Sequence, residues 1–193
     1  MLNQKQGEVL VQLARQEIEH HLHMMVSTPV FATKLNDPVF FIQSGVFVSL
    51  YKRAALRGCV GSLRAIEPLL DAVRRHAVNA AFHDHRFQPV VSSEVPSLHI
   101  EVSLLSKPRR LNYTKGYELP SLLTPHQDGV ILRSAAGSSA TFLPQVWNKL
   151  PQPDLFLNHL CRKNGLEENA WLYDRLEVET YRVQYFEESP SKG

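Results

Sequence analysis

Two strand-like runs separated by three residues constrain this chain more than any other feature. In the first, Val46, Val48 and Leu50 alternate with Phe47, Ser49 and Tyr51, the period of a half-buried strand. The second, about 56 to 63, follows Arg53-Ala54-Ala55 at once. So short a connection predicts an antiparallel hairpin. The second run is Leu56-Arg57-Gly58-Cys59-Val60-Gly61-Ser62-Leu63, a cysteine two residues after an arginine and flanked on both sides by glycines. In a regular strand Arg57, Cys59 and Gly61 share one face, and Gly58, Val60 and Ser62 the other. Glycine leaves room for close approach of backbone or ligand.

The flanking segments supply helices and further strands. Val9, Leu10, Leu13, Ala14, Ile18, Leu22 and Met25 recur at helical spacing, predicting an amphipathic helix over about 4–26 that stops before Thr28-Pro29. Glu67-Pro68 predicts a second helix start, with Leu69, Leu70, Val73, Ala77, Ala80 and Ala81 as its apolar stripe. In the run 98–106, Leu98, Ile100, Val102 and Leu104 alternate with His99, Glu101, Ser103 and Leu105, so one face is apolar and the other carries polar groups. From Lys107-Pro108 to Pro125 the chain is proline-rich and irregular, the natural place for a soft boundary near 107–125. A strand pair over 129–134 and 139–143 follows, then a helix over 153–164 closed by Gly165. One long strand is predicted over 176–186, and Ser189-Pro190-Ser191-Lys192-Gly193 as a frayed tail. Hairpins mixed with helices make the expected class α+β, antiparallel sheets with packed helices.

Several of these segments, in order, resemble the AMMECR-one domain family. The carriers are Leu56-Arg57-Gly58-Cys59-Val60-Gly61, Asp84-His85-Arg86-Phe87-Gln88-Pro89-Val90, Ile100-Glu101-Val102-Ser103-Leu104-Leu105-Ser106, Phe142-Leu143-Pro144-Gln145-Val146 and Leu160-Cys161-Arg162-Lys163-Asn164-Gly165-Leu166. Together they cover about 40–187. Val60 replaces the usual isoleucine, and His126-Gln127-Asp128-Gly129 departs from the family's tighter His-Gly-Leu stretch. The resemblance implies one domain over 1–193, built as two intertwined subdomains, larger and smaller, with a cleft between them. It also implies a possible place beside a Memo-type protein and a radical SAM enzyme, as in microbial relatives named component A of a three-part system.

Cys59 is the candidate catalytic residue. A thiolate is the reactive form, and a neighbouring cation such as Arg57 would favour it. The opposing reading is a small, buried apolar side chain, since free cysteine is among the most buried residue types. Arg57, Gly58, Gly61, Ser62, Arg86, Glu101, Ser103, His126 and Gln145 are the candidate ligand-binding residues. Glu101 beside Ser103 could orient a substrate or act as a base; an ion pair of Glu101 with Arg57 or Arg86 is the alternative. His20, His21 and His23, and His83-Asp84-His85, lack the spacing of a strong metal motif, so no metal and no cofactor are expected.

Two function classes remain open. One binds or processes a small molecule or modified substrate around the Arg57-Gly58-Cys59-Val60-Gly61 motif. The other is a non-catalytic adaptor that binds a partner protein. A formal net charge of +2 does not by itself argue for nucleic acid, and the local cluster of Lys107, Arg109 and Arg110 beside a proline reads as a solvated loop, so nucleic acid is not expected. Two cysteines, no signal-like N-terminus and no apolar run of spanning length point to a cytoplasmic protein with reduced thiols and no membrane association.

Overall fold

The computed structural model describes residues 2–188; the predicted tail at 189–193 lies outside them. In chain order the helices are α1 (Gln4–His21), α2 (Ala32–Leu35), α3 (Leu69–Phe82), α4 (Leu119–Leu122), α5 (Pro153–Lys163) and α6 (Ala170–Tyr173). The strands are β1 (Gly45–Lys52), β2 (Ala55–Ser62), β3 (Leu98–Leu105), β4 (Arg109–Arg110), β5 (Gly129–Arg133), β6 (Ser139–Phe142), β7 (Glu177–Tyr181) and β8 (Val183–Glu187). The fold is α+β. It divides into two compact units, one of residues up to Leu105 plus those from Gln184, the other Ser106–Val183.

In the first unit the sheet order is β2-β1-β3-β8, with β1 antiparallel to both β2 and β3. Val46, Val48, Leu50, Ile100, Val102 and Leu104 face α1 and α3 and form one core with Leu10, Leu13, Ile18, Leu69, Val73 and Ala77. Burying side chains of this size contributes about 1.5–3 kcal/mol each. The helix approaches the sheet closely at Gly58, where an added Cβ would stand 2.1 Å from the Ala80 carbonyl oxygen. Glycine at this position is a packing requirement.

The hairpin forms as expected. Arg53 and Ala54 make its tip with φ of 51° and 63°, the left-handed backbone of a two-residue turn that matches strand twist. The pairing shifts register between Leu50 and Tyr51, leaving Arg57 without a cross-strand partner. Such a bulge re-aims the side chain it carries.

α1 starts on a capping box. Asn3 Oδ1 accepts from the Gln6 amide at 3.0 Å, and the Asn3 amide donates to Gln6 Oε1 at 2.9 Å. The helix ends at His21, earlier than its periodicity predicts. The buried Glu19 carboxylate accepts from both the amide and the hydroxyl of Ser27, at 2.9 and 2.6 Å, and His23 takes a φ of 53°. These contacts turn the chain, and Met25, expected on the apolar stripe, is 93% exposed.

The second unit has the sheet order β4-β7-β5-β6. Its core gathers Val130, Leu132, Val178, Phe156, Leu160, Cys161 and Trp147. The Trp147 ring stacks on Phe156 at 3.8 Å between centroids, and its indole N–H donates to the Asp128 carbonyl at 2.7 Å. α5 closes as expected. Gly165 has a φ of 77°, its amide donates to the Arg162 carbonyl, and the Leu166 amide donates to the Cys161 carbonyl, both at 3.0 Å. This double bond pattern satisfies carbonyls that the helix end would otherwise leave open.

The long strand predicted over 176–186 is instead two strands in different sheets, β7 and β8, broken at Arg182. Ser106 captures that residue. Its hydroxyl accepts from the Arg182 amide at 2.9 Å, and its amide donates to the Arg182 carbonyl at 2.8 Å. The Arg182 guanidinium meets the buried Asp128 carboxylate at 2.8 Å. Side-chain alternation runs through the break and cannot reveal it. The proline-rich stretch is also less irregular than expected, holding β4 and α4.

Candidate active site on the polar sheet face

The face of the first sheet turned away from α1 and α3 is polar where the helix-facing side is apolar. Backbone register builds it. Ser49 of β1 is the Cα partner of Cys59 on β2 and of Glu101 on β3. The three side chains therefore stand in one row across adjacent strands, with Cys59 and Glu101 about 10 Å apart by strand spacing. The Ser49 hydroxyl lies 3.3 Å from Cys59 Sγ, and the Ser103 hydroxyl donates to Glu101 Oε1 at 3.1 Å. Tyr51 stands next on β1. Phe47 lies over Gly61, where an added Cβ would meet its ring at 2.3 Å.

The electrostatics of the row follow from burial. Glu101 is pushed above the ordinary carboxylate range, chiefly by burial and then by the nearby Glu187 charge; the Ser103 hydrogen bond and His99 act the other way. Tyr51 is raised too, by burial first, then by Glu101, with Cys59 and Glu187 adding to it. Cys59 is partly exposed and unbridged. A partly exposed thiol can add to an electrophilic carbon, and the carboxyl, about 10 Å farther along the row, can hold another part of the same molecule.

The backbone of Cys59 is held from outside the sheet. Because β2 is an edge strand, its outward peptide groups need partners. Asp84 Oδ2 accepts from the Cys59 amide at 2.8 Å, and Arg86 Nη2 donates to the Cys59 carbonyl at 3.1 Å. Arg86 also binds Asp84 itself, through Nε at 2.9 Å and Nη2 at 2.7 Å. These contacts hold Asp84 far below the usual carboxylate range, Arg86 first and the Cys59 amide after it. The Asp84-x-Arg86 segment is a clamp on the cysteine-bearing strand.

Arg57 is engaged elsewhere. Its guanidinium pairs with Glu94 at 2.9 Å and reaches the Pro89 carbonyl at 3.4 Å; Lys52 joins the same carboxylate at 2.8 Å. Arg57 and then Lys52 lower Glu94 to about 2. The alternative pairing of Glu101 with Arg57 or Arg86 is therefore not formed, since both arginines have closer carboxylates. Ser62 closes the end of β2, its hydroxyl accepting from the Arg64 amide at 3.0 Å.

Of the expected site residues, Cys59, Glu101, Ser103 and Gly61 meet on the polar face. Gly58 packs against α3, while Arg57, Arg86 and Ser62 support the strand. His126 and Gln145 belong to the second unit, where His126 takes a φ of 64° with Nδ1 3.3 Å from Asn148 Oδ1, and Gln145 is exposed. Ser49, Tyr51 and Asp84 are members that sequence reasoning did not select. For Ser49 and Tyr51 a signal existed: their alternation with Val48 and Leu50 puts them on the face shared with Phe47. Cys161 is fully buried, and burial raises its thiol. Among the described residues no group of three or more His, Cys, Asp or Glu could hold a metal ion. Nor is any described helix long and apolar enough to cross a membrane.

Comparison with known proteins agrees with this architecture. The AMMECR1 family model matches residues 11–186. A protein of Thermofilum pendens is 34% identical over 208 aligned residues, covering 100% of this chain and 94% of the relative. A protein of Sulfurisphaera tokodaii is 32% identical, covering 100% of this chain and 86% of the relative. The crystal structure of an uncharacterized protein from Pyrococcus horikoshii superposes with a TM-score of 0.82 at 32% identity, over 100% of this chain and 96% of that one. With the glycine-bracketed cysteine strand, its Asp84-x-Arg86 clamp and a match running nearly end to end, the chain belongs to the AMMECR1 family.

Proposed function

We propose that the polar face of the first sheet binds a small molecule or modified substrate, with Cys59 as the contacting thiol and Glu101 as a second polar contact farther along the row. The observation that carries this reading is the row itself: a partly exposed thiol, the Ser49 hydroxyl at 3.3 Å and a carboxyl raised by burial, aligned by strand register. The clamp from Asp84 and Arg86 supports it, because it fixes the strand whose cysteine would meet the ligand. Two unbridged cysteines suit a reducing compartment, and we place the protein in the cytoplasm on that ground. The proposed partners are a Memo-type protein and a radical SAM enzyme, as the family resemblance implies. Two cysteines are too few for a four-cysteine iron–sulfur cluster, so the radical chemistry would rest with the partner.

The test is the alkylation rate of Cys59 against pH, read by mass spectrometry, with Cys161 as the internal control. The expected result is native-state labelling of Cys59 while Cys161 reacts only on unfolding. Cys59→Ser should then abolish function in cells that lack the native copy. Protection of both thiols until unfolding, or full complementation by Cys59→Ser, would leave the adaptor reading in its place.

A further inference from the structure

The second unit carries a cleft that the reading of the Cys59 face does not use. It has two open lobes, of about 650 and 1330 Å³, with a shared wall made by Ser134, Ala135 and residues 173–176. Asn164, at the end of α5, lines the smaller lobe. It is 8% exposed, and its side-chain Oδ1 and Nδ2 are both covered and without a hydrogen-bond partner. Its amide donates to the Leu160 and Cys161 carbonyls at 3.1 and 2.9 Å, so the backbone makes the helix end without help from this side chain. Buried carboxamides are otherwise nearly always paired. Tyr173 lines both lobes and is 83% exposed. The charges of the larger lobe balance: Arg110, Lys115 and Arg175 stand against Glu118, Asp174 and Glu177.

We infer that this cleft binds an uncharged nucleoside, with its base at Asn164 and Tyr173 and its sugar at Asp174. A carboxamide with donor and acceptor both unused matches a partner that offers an acceptor and a donor side by side in one plane, as the edges of nucleobases do. The Asn164 carboxamide reaches that edge by turning about its side-chain bonds out of its covered position. The exposed Tyr173 ring supplies a surface on which the base stacks. Among the described residues Asp174 has no ion pair, which leaves its carboxylate to accept from the ribose hydroxyls. A strongly charged ligand gains little from a lining whose cations and carboxylates are equal in number. The smaller lobe is of the size that holds one small molecule. The site belongs to the second unit, and the inference does not depend on the reading proposed for Cys59.

Saturation-transfer NMR on the full chain tests this, with adenosine, guanosine, cytidine, uridine and free ribose as probes at millimolar concentration. The expected result is transfer to the base protons of at least one nucleoside and none to ribose. Tyr173→Ala, a surface change, should weaken that nucleoside about fivefold or more, the loss of one base–aromatic stack. Asn164→Ala should weaken it and flatten the preference among the four, because the base edge is no longer read. The same variant should keep or raise the melting temperature, since it removes a carboxamide that the fold leaves unpaired. Absence of transfer from all four nucleosides, or equal transfer to ribose alone, overturns the inference. Unchanged affinity in either folded variant also overturns it. So does a melting temperature lowered by several degrees in Asn164→Ala, which would assign that carboxamide to the fold itself.

Discussion

Removing the Asp84 carboxylate should loosen the strand that carries Cys59. In Asp84→Ala the Cys59 amide loses its acceptor at 2.8 Å, and Arg86 loses contacts at 2.9 and 2.7 Å. A hydrogen bond to a charged acceptor contributes about 1.5–3 kcal/mol. Arg86 is 57% exposed on its side chain, so its pairing adds about 0–1 kcal/mol. The expected loss is therefore about 1.5–4 kcal/mol, or roughly 3–16 °C in melting temperature for a domain of this size. Asp84→Asn keeps an oxygen for the Cys59 amide and should lose about half as much. The pH dependence has a definite sign. Asp84 is lowered in the folded state, so its contribution is present above the unfolded value near 3.8 and is lost as pH falls below it. The variant should lack that acid-side slope. Urea unfolding from pH 7 down to 3, with hydrogen exchange at the Cys59 amide, measures both effects. A loss below about 0.5 kcal/mol with unchanged exchange would refute the clamp.

Two further outcomes follow from local geometry and burial. Ala54 sits at a φ of 63° in an exposed turn, so Ala54→Gly should stabilise the protein by about 1 kcal/mol, read as a higher melting temperature. His76, 2% exposed on α3, is lowered to about 4 by burial first and by Arg75 second. It stays neutral in the fold while the unfolded chain takes up its proton near 6.5. Stability should therefore fall as pH drops from about 6.5 to 4, by at most ~1.4 kcal/mol per pH unit from this group. His76→Leu should remove that part of the slope in urea titrations at successive pH values; an unchanged slope would assign it to other groups.

Much of the architecture was legible in the residues because its causes are local. The alternation in 46–51 and 98–105, the short connection between hairpin strands, Pro68 before a helix and Gly165 after one each act within a few positions along the chain. They predicted the hairpin, the polar face of β3 and the α+β class. The breaks are where distant residues intervened. Glu19 ends α1 by capturing Ser27, and Ser106 divides the last strand by capturing Arg182 across the sequence.

The site divides in the same way. Strand periodicity alone determined that Cys59 and Gly61 share a face, and Glu101 with Ser103. Tertiary structure decided that β1 lies between these strands, which makes Ser49 and Tyr51 members of the row. It also assigned the arginines. Sequence proximity suggested Arg57 as the cation for Cys59, yet a register shift in the strand pairing leaves it unmatched, and Glu94 holds it. Asp84, far along the chain from Cys59, became its closest support because an edge strand leaves peptide groups unpaired and α3 returns the chain to that edge. Periodicity carries the direction of a side chain relative to its own strand. Which charge meets which depends on how separate segments are packed, and that is decided by the fold as a whole.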